Sequence, residues 1–163
     1  MLWVAPVVQT IGIGQAFAQT ALVSPGGERC LRADLIPDIP TPIPADFVNF
    51  PNKYRYDIEV CNCGSLLITD IFVTLKVDSL AVNGGAGFDP AITWITSNNI
   101  GSLQPVNDFG VLDCYHHSTD QDIKTAFSAH ASSGDTVVYT VRVTTTDSFG
   151  PVSDQQTYSA VIA

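Results

Sequence analysis

The stretch YRYDIEVCNCGSLLITDIFVTLKVD, residues 54–78, decides the fold of this chain. Apolar residues alternate with polar ones over 54–61 and again over 71–78, and Asn62 and Gly64 mark a turn between the two runs. A period of two predicts strands that bury one face and expose the other, as in antiparallel sheets. The stretch therefore predicts two antiparallel strands of an all-β domain.

Composition extends this prediction to the whole chain. Thr, Val, Ser, Ala and Gly dominate and Leu, Lys and Glu are scarce, which is typical of strands and turns. The fold class that we predict is an all-β, immunoglobulin-like or jelly-roll-type antiparallel β-sandwich with an extended N-terminal strand. Before the two strands we expect a short strand in ERCLRADLI and then an extended connection with five prolines between Pro37 and Pro51. After them comes a loop-rich middle, which has a short strand near 91–95 and contains the polar CYHHSTDQD. The last predicted strands are 124–131, 136–145 and 157–163, and the predicted turns are 83–87 and 132–135.

Two stretches carry a family resemblance. YDIEVCNCGSLLITDIFVTLKVDSL resembles the core of the immunoglobulin-like conserved-repeat domains found in bacterial and archaeal surface proteins, and SSGDTVVYTVRVTT is similar to a later strand of those domains. Cys61 and Cys63 depart from the family, which usually has Thr-like residues there. The resemblance implies a sandwich without catalytic residues. Subunits of some extracellular fibres look similar too, with an N-terminal strand that completes a neighbour's sheet.

The first 27 residues contain no charge, since Glu28 is the first charged residue. An apolar stretch of this length must be covered, so we divide the chain into an N-terminal arm, residues 1–27, and a single sandwich domain, residues 28–163. The Pro25–Gly27 sequence separates the two as a hinge. Read as a strand that inserts into another subunit, the arm has its larger apolar residues on one face, at Val7, Ile11, Ile13, Phe17 and Val23.

Three other readings of the arm remain open. Ala16–Ala18 before Gln19 fits a signal-peptide cleavage site, although no Lys or Arg precedes the apolar run. A membrane or filament-core helix would have to accommodate Pro6, Gly12 and Gly14. The arm is also compatible with the first strand of its own domain.

The four cysteines, an even number, permit three full pairings. Cys61 and Cys63 point to one face of a strand with sulfurs about 7 Å apart, too far for an easy mutual bridge. We therefore expect Cys30, Cys61, Cys63 and Cys114 to form two disulfides, in which Cys61 and Cys63 each pair with Cys30 or Cys114. The alternative is a zinc or copper site at Cys114, His116 and His117, with Cys61 and Cys63 as further ligands. A calcium site at Asp113, Asp120 and Asp122 lacks a recognised loop pattern.

Function is constrained mainly by what the chain lacks. The net charge of −9 and the scattered Lys and Arg argue against a nucleic-acid partner. The sequence has no nucleophile elbow, phosphate loop or metalloprotease motif, so we expect no enzyme and no cofactor. We expect no membrane span either, because the arm is only marginally long and apolar for one and contains Pro6, Gly12 and Gly14. The favoured hypothesis is a structural subunit of an extracellular, pilus-like filament, a helical homopolymer in which the arm inserts into the next subunit. Alternatives are a secreted monomeric adhesion or binding module with a cleaved signal, a metal-binding secreted protein, and a virion structural protein.

Overall fold

A computed structural model describes residues 29–43 and 49–163; for residues 37–40 it describes the backbone alone. This part of the chain forms seven strands and one short helix. The elements in chain order are β1 (Leu31–Pro42), β2 (Lys53–Asn62), β3 (Ile68–Val82), β4 (Ile92–Leu103), β5 (Asp113–Asp122), α1 (Ile123–Ala126), β6 (Thr136–Asp147) and β7 (Gly150–Val161).

The strands form two sheets that pack face to face. One sheet has the order β1-β2-β5 and the other β4-β3-β6-β7, and all the strand pairs are antiparallel. The predicted all-β antiparallel sandwich is confirmed. The extended N-terminal strand of that prediction, with the rest of the arm, lies outside the described residues.

The core fills the space between the sheets, and its alternation is that of the sequence. The inward side chains of β2 and β3 are almost fully buried, and polar side chains stand between them on the outer faces. Tyr56 of β2 and Tyr139 of β6 meet across the core with a hydroxyl–hydroxyl hydrogen bond of 2.7 Å. Burial raises the pKa of both phenols, so they stay neutral and able to share this bond.

Several predicted elements are longer than expected. β1 continues from the short predicted strand into the proline-rich run, with a register shift between Ile36 and Thr41. Prolines are tolerated there because β1 is an edge strand of its sheet in the described part of the chain. β4 and β7 likewise extend beyond the predicted 91–95 and 157–163.

Two predictions in the middle of the chain are wrong. The polar CYHHSTDQD is strand β5 and not a loop, because it pairs with β2 along its whole length. Residues 124–131 form no strand: a helical turn begins after Asp122, whose carboxylate accepts hydrogen bonds from the backbone N–H groups of Lys124 and Thr125. This helix cap overrides the strand-like composition, and it places Ile123 and Phe127 in the core.

Among the described residues, no helix has the length and apolarity that crossing a membrane requires.

Candidate functional site

The point where the arm joins the sandwich is held by two interactions. The guanidinium of Arg29 binds the buried carboxylate of Asp147 through both oxygens, at 2.9 and 2.5 Å, and also donates to the carbonyl of Gly150. The adjacent Cys30 forms a disulfide with Cys63. Arg29 and Cys30, which follow the predicted arm, are thereby fixed both to the β6–β7 turn and to the residue after β2.

The four cysteines form two disulfides, which confirms that part of the prediction. Besides Cys30–Cys63, with Cα atoms 4.8 Å apart, Cys61 is joined to Cys114, its direct cross-strand neighbour on β5, with Cα atoms 4.1 Å apart. Cys61 is completely buried although it lies on the outer, polar face of β2. The two bridges tie the first sheet together and are compatible with an extracellular location.

We expect all four cysteines to resist alkylation unless the protein is first reduced. Each bridge closes a long loop and should contribute about 2 to 4 kcal/mol to the free energy of unfolding. Peptide mapping should find Cys30 linked to Cys63 and Cys61 linked to Cys114. Because Cys61 and Cys63 are two residues apart, fragmentation between them in the mass spectrometer is needed to distinguish the pairings. A Cys30–Cys61 link, or free thiols in native protein, would contradict the structure.

Strand β5 separates the residues of the suggested metal site. His116 lies opposite Glu59 on the outer face, together with Cys114, whereas His117 lies opposite the buried Ile58 and stacks on Tyr115. The sulfur of Cys114 is bound in its disulfide. Cys114, His116 and His117 therefore do not converge on a common point.

The suggested calcium ligands are not brought together either. Asp113 accepts a hydrogen bond from the backbone of Gln104, and Asp122 caps α1. Asp120 forms an ion pair with Arg55, whose guanidinium lowers the pKa of this carboxyl. Each of these carboxylates has a local structural partner in place of a shared cation.

The outer face of the three-stranded sheet brings charged groups together that the sequence analysis had not grouped. Glu59 accepts from Arg32 at 2.8 Å through one oxygen and lies 3.4 Å from Nδ1 of His116 through the other. Asp34, opposite Glu59 on β1, also binds Arg32, at 2.6 Å. Reading 113–122 as a strand would have found this face, since Cys114, His116 and Ser118 alternate with inward residues.

We expect Asp34→Asn to raise the melting temperature at pH 7. Burial raises the pKa of Asp34 above its ordinary value of 3.8, and the nearby Asp154 and Glu59 raise it further, against the opposing effect of Arg32. Because the folded pKa exceeds the unfolded one, ionisation of Asp34 costs stability at pH values above both, and the cost disappears below both. The gain of the Asn variant should therefore vanish at pH 3, as measured by thermal unfolding.

Asp120→Asn is the matched control. The pKa of Asp120 is lowered in the folded protein, so the effect of its ionisation on stability has the opposite sign to that of Asp34. Asp120 stabilises the fold while ionised, so its Asn variant should be less stable than wild type at pH 7 and equal to it in acid. A lower melting temperature for Asp34→Asn at pH 7 would contradict the assignment.

The two sides of the sandwich are closed differently. At one side β1 approaches β7, and the backbone N–H of Leu35 donates to the buried carboxylate of Asp154 at 3.0 Å. At the other side β4 and β5 approach each other less closely. Both strands carry partly buried apolar side chains that pack against the core, and we call this set the β4–β5 seam: Ile92, Trp94, Ile95 and Ile100 of β4 and Tyr115 of β5.

The β4–β5 seam has unused hydrogen-bonding capacity. The indole N–H of Trp94 is buried beside Tyr56, 4.8 Å between ring centroids, and has no hydrogen-bond partner in the described part of the chain. β5 pairs only with β2 among the described strands, so its other edge carries backbone groups without a strand partner there. Nothing in the sequence marks this seam, because the polar residues 113–122 predict a loop and not a strand.

The predicted interface residues Val7, Ile11, Ile13, Phe17 and Val23 lie outside the described residues. Comparison of the chain with protein-family models, with curated proteins and with solved structures finds no match. Its function is therefore inferred from its own residues.

Proposed function

We propose that this protein is a structural subunit of an extracellular filament, and that the N-terminal arm of one subunit adds a strand to the next. The observation that carries the proposal is the second edge of β5, which has no strand partner in the described part of the chain and borders the apolar β4–β5 seam. An extended segment gains affinity at such an edge from main-chain hydrogen bonds and specificity from alternate side chains. A fourth strand beside β5 would also bring the three-stranded sheet to the width of its partner.

The seam suits the arm as predicted from sequence. Its aromatic and aliphatic side chains match an apolar strand face. Burial of Val7, Ile11, Ile13, Phe17 and Val23, at about 1.5 to 3 kcal/mol each, would supply on the order of ten kcal/mol per contact before ordering costs. Such a head-to-tail contact does not close on itself, so it propagates into a fibre.

The anchoring of the arm's base supports the same role. In a filament held by inserted strands, tension along the fibre passes through the point where the arm leaves its own domain. Here the Cys30–Cys63 disulfide makes that point covalent, and the ion pair between Arg29 and the buried Asp147 adds a charge-assisted bond. Load would thus reach the sandwich without unravelling β1.

The test is negative-stain electron microscopy of the purified full chain beside a chain that begins at Glu28. The full chain should form fibres and the shortened chain should not. Ile13→Asp and Phe17→Asp should also block assembly, because a carboxylate in the seam is costly to desolvate. Ile13→Leu is the matched control and should assemble.

The other hypotheses have distinct outcomes in the same experiment. Native protein that begins at Gln19 and stays monomeric would favour a secreted binding module. Fibres formed equally well by the chain that begins at Glu28 would contradict strand insertion by the arm.

A further inference from the structure

We propose that the Cys61–Cys114 pair, in its dithiol form, completes a four-ligand zinc site with Glu59 and His116. The four residues are two successive cross-strand pairs on the outer face of the β2–β5 ladder: Cys61 lies opposite Cys114, and Glu59 lies opposite His116. The ladder runs through this region without a register shift. The four side chains therefore project from the same face of the sheet, as two neighbouring pairs.

The distances between the ligand atoms fit one metal ion. Glu59 Oε1 lies 3.3 Å from the sulfur of Cys61, and Glu59 Oε2 lies 3.4 Å from Nδ1 of His116. The ligand atoms of Glu59, Cys114 and His116 all lie within 4.8 Å of one another. Zn–S bonds of about 2.3 Å and Zn–N bonds of about 2.0 Å place the ligand atoms of a tetrahedral site roughly 3.2 to 3.8 Å apart. Small side-chain rotations thus bring all four onto a single Zn²⁺.

The chemistry of the ligand set favours zinc over calcium or magnesium. Two thiolates, one imidazole and one carboxylate form a mixed sulfur and nitrogen set, whereas the harder cations prefer oxygen ligands throughout. Arg32 also holds Glu59 Oε1 at 2.8 Å and so orients this carboxylate toward the pair of cysteines. Zn²⁺ would offset the charge of the two thiolates, while Arg32 offsets that of Glu59.

Metal binding and the disulfide exclude each other. A dithiol reductant breaks the Cys61–Cys114 bond with two electrons and two protons, and is itself converted to a cyclic disulfide. Zn²⁺ then displaces the two thiol protons as the Zn–S bonds form. The site is therefore open before the bridge forms or after its reduction, and it is closed in the oxidised protein.

The experiment is a Co²⁺ titration of the full chain, after reduction with a dithiol and removal of the reductant under nitrogen. Reduced wild-type protein should bind one equivalent of Co²⁺, with the intense visible bands of four-coordinate cobalt and a thiolate charge-transfer band. Zn²⁺ should displace it. Oxidised protein should show neither band, and oxidation of the loaded protein by a diazenedicarboxamide should release the metal.

The variants distinguish this site from binding by the thiols alone. His116→Ala and Glu59→Gln should each weaken Co²⁺ binding by at least about tenfold. Loss of a group that merely orients a metal ligand typically weakens binding by about 10- to 100-fold, and loss of a ligand should cost no less. The matched control is His117→Ala, on the opposite face of β5, which should bind as wild type does. Near-ultraviolet circular dichroism follows the fold of each reduced protein.

Three outcomes would overturn the proposal. One is the absence of Co²⁺ binding by the reduced wild type. Another is binding that is unchanged in both His116→Ala and Glu59→Gln, as loose thiols of an unfolded chain would give. The third is equal weakening by His117→Ala and His116→Ala, which would show that the face of β5 does not matter.

Discussion

Phe127→Ala should destabilise the protein by about 3 to 5 kcal/mol, the range for an aromatic side chain removed from a close-packed core. Phe127 has no exposed surface, and its ring meets the ring of Tyr139 edge to face with centroids 5.0 Å apart. Tyr139 in turn shares its hydroxyl hydrogen bond with Tyr56 of the other sheet. The cavity would thus open directly beside the pair of hydroxyls, of Tyr56 and Tyr139, that joins the two sheets.

Phe109→Ala is the control, because Phe109 lies in the loop between β4 and β5 with 91% of its surface exposed. Its removal should change the free energy of unfolding by no more than about 0.5 kcal/mol. Urea unfolding of both variants, followed by tryptophan fluorescence, measures the difference. Equal effects for the two variants would show that the helical turn after β5 does not pack into the core.

The strands that sequence alone could predict are those with one clearly buried face. In β2 and β3 the inward positions are aliphatic or aromatic, apart from Asn62 at the end of β2, and most outward positions are polar, so period and composition agree. In β5 they disagree. Its inward residues Tyr115, His117 and Thr119 lie at the sheet edge, where they are only partly covered and need not be apolar. The sequence of β5 therefore shows no alternation of apolar and polar residues, and the strand is recognised only from its pairing with β2.

The prediction of a strand at 124–131 was wrong for a different reason. Ile123 and Phe127 are four apart, a spacing that fits one helical turn as well as a strand's alternate positions, and the Asp122 cap decides between them. The capped turn lies where the chain passes from β5 of one sheet to β6 of the other. The sequence correctly predicted that Cys61 and Cys63 pair with Cys30 and Cys114, but it could not decide which pairs with which, since that choice depends on β2 and β5 being neighbours.

The candidate site was predicted in its parts but not in its arrangement. Cys61, Cys114 and His116 were candidate ligands from sequence, but they were grouped with Cys63 and with His117, the neighbour of His116 in the chain. Because β5 pairs with β2, the residue that lies beside His116 in the candidate site is Glu59, and His117 lies on the other face of β5. The β4–β5 seam similarly joins Trp94 and Tyr115, which are 21 positions apart in sequence and belong to different sheets.

Ser118→Pro should abolish filament formation while leaving the subunit folded. In an antiparallel ladder, pairs with the shorter Cα separation do not exchange hydrogen bonds, and their N–H groups point away from the partner strand. The 4.1 Å separation of Cys61 and Cys114 identifies such a pair, and Ser118 lies four residues further along the same unshifted register. Its N–H therefore points to the open edge of β5. Proline removes that donor and spares the bonds to β2.

Ser118→Ala is the matched control, because it keeps the N–H while losing, as the proline variant does, the side-chain hydrogen bond to Asp57. Circular dichroism and thermal unfolding should show both variants folded, and electron microscopy should show fibres only for the alanine variant. Fibres formed by a folded Ser118→Pro protein at the wild-type rate would place the acceptor edge elsewhere. The second edge strand of the same sheet, β1, would then be the alternative, although its closure against β7 through Asp154 leaves less room for an added strand.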